Sequence, residues 1–271
     1  AIVDHPKTAM ISFTGGTETA RHIARAAAPR FIPIIFELGG KSPNIVFADA
    51  DLAAAAKGVT SAIFGSGGQS CVAGSRLFVE SSIYDEFMAR VRTEAAKIKA
   101  GDPLAKDSTI GPMASFIQRA RVEKYVDIAR EDGGKITLGG TRPDGPEYEA
   151  GAYYLPTIVE GLPHSSRVVQ EEIFGAVLVA LPFDTTEEVI DLANDTEFGL
   201  AAGIWSKDVT KAWKTGRAIG AGTVWINTYK QLSIAAPFGG YKDSGLGREK
   251  GLQGLRAYQQ SKSLYLGGFQ G

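Results

Sequence analysis

The chain of 271 residues has a single cysteine, Cys71, set in Gly65-Ser66-Gly67-Gly68-Gln69-Ser70-Cys71-Val72-Ala73-Gly74-Ser75-Arg76. Glycine has no Cβ, so Gly65, Gly67 and Gly68 let the backbone turn sharply and let a second molecule approach the sulfur closely. The attacking species is the thiolate, and a free cysteine titrates near ~8.5 unless amides, a helix start or a cation bring it down. Gln69, Ser70 and the backbone amides around Cys71 are candidate donors of that kind. A lone cysteine is also a common small core hydrophobe, and this window alone leaves both readings open.

A carboxylate ends the apolar run Phe31 to Phe36, in Phe36-Glu37-Leu38-Gly39-Gly40-Lys41-Ser42-Pro43-Asn44. Apolar walls desolvate a carboxylate and raise its pKa, which suits a general base working near neutral pH. The plainer alternative is a turn glutamate paired with Lys41. Gly40-Lys41-Ser42 mimics the end of a phosphate-binding loop, but that motif needs a glycine where Ile35 stands and a helix afterwards. Pro43 followed by Asn44-Ile45-Val46-Phe47 reads as a strand, so the phosphate loop is rejected.

A glutamate in Glu-Leu-Gly-Gly-Lys-Ser-Pro followed by a cysteine in Gly-Gln-x-Cys-x-Ala-x-x-Arg resembles the aldehyde dehydrogenase superfamily. The resemblance runs from about Phe13 to the C-terminus. It implies that Cys71 attacks an aldehyde, that the resulting thiohemiacetal gives a hydride to NAD or NADP, and that Glu37 activates water to hydrolyse the thioester. The Cys71 amide is then one candidate oxyanion donor. The resemblance also implies a pyrophosphate site at Gly15, Gly16 and Thr17, further cofactor contacts at Leu38 and Gly39, and a nicotinamide ribose and ring held by Glu172 and Phe174 of Gln170-Glu171-Glu172-Ile173-Phe174-Gly175. By the residues alone, Glu171 and Glu172 read as a solvated surface pair. Two departures stand out: the family commonly has Ser in place of Gly16 and Pro in place of Ala176.

Family chains run close to twice this length, so the sequence resembles their C-terminal portion. The family's asparagine oxyanion donor and its adenosine-ribose lysine lie upstream, and so does the residue that discriminates NAD from NADP. Half a dinucleotide site leaves the ligand unoriented, so these 271 residues alone are expected not to turn over. Two other outcomes compete: a thioester resolved by coenzyme A, against which a water-activating Glu37 argues, and a non-catalytic remnant that only oligomerises.

The elements that must position these groups follow from the pattern. A strand at Ala9–Phe13, a turn at Gly15-Gly16, a helix over about Thr17–Ala28 capped by Thr17, and a strand at Ile32–Glu37 make a βαβ unit and imply a parallel sheet. A strand at Asn44–Phe47 precedes an alanine-rich helix from its Asp51 cap to Phe64, which delivers the chain to Cys71. Arg76–Val79 is a strand, and Ser82 opens a helix with Ile83, Phe87, Val91 and Ala95 on one face. Helices at Ser115–Glu131, Thr186–Asn194 and Val209–Ile219 alternate with strands at Lys135–Leu138, Gly175–Leu181, Ala201–Trp205 and Thr223–Ile226, with a loop at Gly139–Gly151. The fold class is therefore α/β. With the resemblance it becomes a parallel-rich αβα catalytic domain (39–240), a remnant of a Rossmann-like cofactor domain (1–38), a return segment (241–257) and an oligomerisation strand and tail (258–271). That strand, Tyr258–Leu266, is a pairing template, so a homodimer or homotetramer is expected.

Composition narrows the rest. Hydrophobic residues make up 44%, enough for a substantial core. Basic and acidic side chains number 29 and 30 with no basic run, which argues against nucleic acid. One cysteine excludes an intrachain disulfide, and the scattered His5, His22 and His164 argue against a metal site. A reducing, cytoplasmic setting follows, with no membrane-spanning run and a small-molecule aldehyde as the expected partner. Trp205, Trp225 and Tyr229 are either tunnel or core aromatics.

Overall fold

The computed structural model describes residues 1–268. Strand β1 (Ile11–Thr14) leads through Gly15 and Gly16 into α1 (Thr17–Ala27), and β2 (Ile34–Glu37) returns beside it. The two strands pair in parallel, with Thr14 opposite Glu37. The expected cap differs. Gly16 holds the N-cap position without a side-chain bond, while the Thr17 hydroxyl donates to the Asp243 carbonyl at 3.4 Å. Thr17 already lies within the first turn, where capping geometry is lost.

Strand β3 begins at the proline (Pro43–Val46), as the rejection of a phosphate loop required, and a strand's first residue tolerates proline. The Asp51 carboxylate caps α2 (Leu52–Phe64), accepting from the Ala53 and Ala54 amides at 3.1 Å. Then come β4 (Arg76–Glu80), α3 (Tyr84–Ala95) and α4 (Phe116–Glu131). A short 3-10 turn at Ser81–Ile83 stands where Ser82 was expected to open the helix. Next are β5 (Lys135–Leu138), β6 (Thr157–Glu160), α5 (Arg167–Gln170) and β7 (Val177–Phe183). The chain continues with α6 (Thr186–Asn194), β8 (Phe198–Gly199), β9 (Ala201–Trp205), α7 (Val209–Ala218) and β10 (Thr223–Ile226). It closes with β11 (Tyr241–Lys242), β12 (Gly245–Leu246) and α8 (Gly251–Ala257).

Seven strands form one sheet in the order β10-β9-β3-β4-β7-β6-β5, parallel throughout except for β5 against β6. Alternate residues of a strand point to opposite faces. Ile45 and Phe78 join Val122, Val126, Val189 and Ala212 from α4, α6 and α7 on one face. Val46, Leu77 and Val79 join Val59, Ile63, Phe87 and Val91 from α2 and α3 on the other. The result is the α/β, αβα arrangement with both sheet faces covered.

A second sheet has the order β1-β2-β12, with β12 antiparallel to β2. The Leu38 amide donates to the Ser244 carbonyl at 2.9 Å, tying this segment to the end of β2. Tyr258 to Leu266 pairs with no strand among the described residues, and Leu264, Tyr265 and Leu266 are exposed. A ladder needs a partner, and the described residues supply none there. The last part of the expected 258–271 tail, 269–271, lies outside the described residues. Among the described residues no helix is long and apolar enough to cross a membrane.

Candidate active site

Cys71 and Glu37 line one cavity of about 1260 Å³, together with Gly15, Gly16, Thr17 and Glu172. Leu38, Gly39 and Phe174 also face it, so every residue expected from the sequence to act as catalyst or cofactor contact comes to this one place. The two sheets meet here. Cys71 follows α2 on the seven-stranded body, whereas Glu37 ends β2 of the smaller sheet.

The loop bearing Cys71 is shaped by its glycines. Ser66, Gly67 and Gly68 have φ of 57°, 63° and 70°, a left-handed run that few L side chains tolerate. A Cβ on Gly68 would collide with the Gly175 carbonyl, so this glycine lets the loop lie against the segment that carries Phe174. Gly40 plays the same part on the other side, because its Cβ would strike the Cys71 carbonyl. Gln69 turns away from the sulfur and accepts from the Ala114 amide at 2.9 Å.

Electrostatics in this cavity separate the two groups from ordinary ones. Burial pushes Glu37 up to about 7, and Glu249 adds to it, while Arg248 and Lys250 pull the other way. Both of its oxygens are buried without a hydrogen-bond partner, so the alternative of a turn glutamate paired with Lys41 does not hold. Room for the carboxylate comes from Gly239, whose Cβ would stand 2.8 Å from Oε1. The Cys71 thiol is also pushed up, first by burial and then by Glu172, with Glu37 contributing. Its own amide and that of Val72 oppose this. The lowered thiol expected from surrounding donors is thus outweighed, since desolvation and two carboxylates act on one sulfur.

Glu171 and Glu172, adjacent in sequence, part company. Glu171, at the edge of the cavity, meets Arg167 at 2.7 Å and the Tyr125 hydroxyl at 2.5 Å. Glu172 Oε1 accepts from the Gly40 amide at 3.0 Å, and a Cβ on Gly39 would collide with its carboxylate. Burial raises Glu172, and the Gly40 N–H, Lys41 and Arg121 hold it down. Phe174 has φ of 60° and remains exposed, with Gln118 Nε2 donating to its carbonyl at 2.8 Å.

Sequence reasoning missed Lys41 and Arg121. Lys41 is fully buried, its Nζ has no partner, and burial pulls it down to about 7, with Arg76 adding to that and Glu172 opposing it. Arg121 donates to the Glu172 carbonyl at 2.6 Å and lines the cavity. Its position one turn after Gln118 on α4 was the available signal. Of the three aromatics, Trp205 is a core residue that donates to Asn44 Oδ1 at 2.8 Å. Trp225 and Tyr229 pack with ring centroids 4.6 Å apart and planes tilted by 44°, in the apolar cluster against which Cys71 packs.

A family model described as the aldehyde dehydrogenase family matches residues 1–264. The chain belongs to the aldehyde dehydrogenase family. It is 48% identical to a betaine aldehyde dehydrogenase of Bacillus subtilis (strain 168), over 94% of this chain and 52% of that one. It is 45% identical to a (Z)-2-((N-methylformamido)methylene)-5-hydroxybutyrolactone dehydrogenase of Acinetobacter baylyi (strain ATCC 33305 / BD413 / ADP1), over 97% and 53%. Among solved structures, betaine aldehyde dehydrogenase of Staphylococcus aureus in complex with NAD+ superposes with a TM-score of 0.92 at 42% identity, covering 94% of this chain and 51% of that one. The chain spans about half the length of the curated aldehyde dehydrogenases it matches.

Proposed function

We propose that the whole protein oxidises an aldehyde to a carboxylic acid through a thioester on Cys71, with NAD+ or NADP+ as the oxidant. The observation that carries this reading is the shared cavity of Cys71 and the buried, unpartnered Glu37. The dinucleotide fits the residues present: the glycine turn at Gly15 and Gly16 gives close backbone approach, and Glu172 offers carboxylate oxygens to ribose hydroxyls. Gly15, Gly16, Thr17, Leu38, Gly39, Glu172 and Phe174 are the proposed contacts. NAD+ in the Staphylococcus aureus structure favours that nucleotide. When bound, the nicotinamide supplies an acceptor for one hydride.

The Cys71 thiol gives its proton to solvent, Sγ forms a bond to the aldehyde carbon, and the amides beside it face the developing oxyanion. Loss of hydride leaves a thioester on the sulfur. Glu37 takes a proton from water, the hydroxyl adds to the thioester carbon, and the C–S bond breaks to return the thiolate. A carboxylate pushed up to about 7 is a stronger base than an ordinary one and still ionises near neutral pH, and the ionised form is the one that accepts the proton. Coenzyme A in place of water would leave this group without a task. Self-association and a cytoplasmic setting belong to the same reading, and the exposed Leu264, Tyr265 and Leu266, in a stretch that pairs with no strand among the described residues, support the first.

The test is single-turnover kinetics of the whole protein with a neutral aldehyde. Cys71→Ala should abolish nucleotide reduction. Glu37→Gln should release about one equivalent of reduced nucleotide and then slow by about 100-fold or more. Steady turnover by Cys71→Ala would overturn the reading.

A further inference from the structure

Lys230 lies outside the large cavity, in the turn after β10, and three observations single it out. Its backbone has φ of 58°, a left-handed conformation that costs a non-glycine residue energy and persists only where surroundings impose it. The turn is held on both sides of it. Trp225 Nε1 donates to the Gln231 carbonyl at 2.8 Å, and the buried Tyr229 packs against the Trp225 ring in the apolar cluster that touches Cys71. Third, Nζ points at the Cys71 loop, lying 3.7 Å from where a Cβ on Gly65 would stand.

Among the described residues this ammonium forms no ion pair. Partial burial pulls it down, and the Cys71 thiolate is the titratable group that opposes this. Lys230 also lines a smaller hollow of about 260 Å³ with Ala62 and Tyr229, both of which belong to the cluster against Cys71. A second cation stands nearby: Lys250 Nζ lies 5.2 Å from the ring centroid of Phe238, which packs on the same cluster. The acidic groups that act on Cys71, Glu37 and Glu172, line the large cavity instead.

A cation with no ion pair among the described residues, held against the loop that carries Cys71, favours a substrate that brings a negative charge. We propose that Lys230 is a specificity-determining residue that directs the site to aldehydes carrying a carboxylate or similar anionic group, and against quaternary-ammonium aldehydes such as betaine aldehyde. The inference rests on aldehyde oxidation at Cys71 and fills in its substrate class. It sets this chain apart from the relatives named for betaine aldehyde, with which it shares 48% identity or less.

Two readouts keep the inference separable from the reaction it rests on. First, the single cysteine is alkylated without cofactor by iodoacetate and by iodoacetamide, which differ chiefly in charge. The iodoacetate-to-iodoacetamide rate ratio is expected to fall about tenfold in Lys230→Glu, less in Lys230→Met, and to be kept in Lys230→Arg. Second, the whole protein is assayed with succinic semialdehyde, butanal and betaine aldehyde. The unmodified protein should prefer the anionic aldehyde, Lys230→Glu should lose that preference by about tenfold or more in KM, and butanal should change by less than about threefold. An unchanged alkylation ratio in a folded Lys230→Glu variant overturns the inference, as does a wild-type preference for betaine aldehyde. A shifted alkylation ratio with no oxidation of any aldehyde would sink the oxidation reading and the substrate assignment with it, while leaving the charge effect at Cys71 standing.

Discussion

The two sheets that meet at the cavity are built to different standards. The seven-stranded sheet is covered on both faces, and Ile45, Val46, Leu77, Phe78 and Val79 at its centre are fully enclosed. The three-stranded sheet packs against α1, which buries only Ala20 and Ala27, and its apolar cluster centres on Ala20, Phe36 and Leu38. Yet the thin region supplies Glu37 and the glycine turn, while the thick one supplies Cys71 and Glu172. The proposed nucleophile therefore sits on the body with the larger core, and the proposed base sits on one that contributes little core of its own. Stability and chemistry are divided unequally between the regions, so mutations should separate them.

The largest contrast is in the cores. Phe78→Ala removes an aromatic ring from the fully buried centre and should cost about 3–5 kcal/mol. Phe31 follows α1 on the thin side and is 93% exposed, so Phe31→Ala should stay within about 0.5 kcal/mol. Urea unfolding measures both, and equal costs would remove the distinction.

Next in size is the effect of Glu37 itself. The folded chain holds its proton up to about 7 against an ordinary 4.5. Between those values the unfolded chain has released a proton that the folded chain keeps, so this group's contribution to stability falls as pH rises through the window. Above about 7 the penalty is constant, and below 4.5 it is absent. Glu37→Gln cannot titrate. The melting temperature of the variant minus that of the native protein should therefore rise from pH 4.5 to 8, by several degrees, at about 2–4 °C per kcal/mol for a chain of this size. A flat difference would mean the carboxylate is hydrated after all.

Much of this division could be read from the residues. Cys71 and Glu37 each lie in runs where glycines and apolar neighbours constrain what a side chain can do, and those constraints are local. The parallel order of the main sheet followed from alternating periods of two and 3.6. What escaped was long-range. Lys41, after two glycines, reads as a surface cation, and only β3, β4 and β9 packing around it make it a buried one. Glu171 and Glu172 are equivalent in sequence, and their opposite environments come from Arg167 on one side and Gly40 on the other. Strand β6 escaped because four residues between Pro156 and Gly161 show no period. The run Tyr258 to Leu266 shows the converse, a β-prone stretch that pairs with no strand among the described residues.

A smaller effect tests how the thick region reaches into the thin one. Gly39→Ala puts a methyl against the Glu172 carboxylate, which can move only by giving up the Gly40 amide. Affinity for NAD+ should drop about tenfold, roughly 1.4 kcal/mol, by calorimetric titration of the whole protein. The melting temperature should change by less than about 2 °C, because a flexible carboxylate moves rather than a core. A large thermal loss without an affinity loss would assign Glu172 to the scaffold instead of the ribose.

The smallest change probes the thin side alone. Gly16 sits at the N-cap of α1 with φ of −76° and ψ of 146°, a conformation any residue adopts, and a Cβ there meets nothing within 4 Å. Glycine is thus not required by the fold. Serine in this position can accept from the first free amides of α1, which glycine leaves to solvent, and serine caps better than glycine by a few tenths of a kcal/mol. Gly16→Ser should therefore raise the melting temperature by no more than about 1 °C and shift NAD+ affinity by less than about threefold. A loss beyond 0.5 kcal/mol would show the start of α1 to be packed as tightly as the seven-stranded body, and the two regions would no longer differ in the way their burial implies.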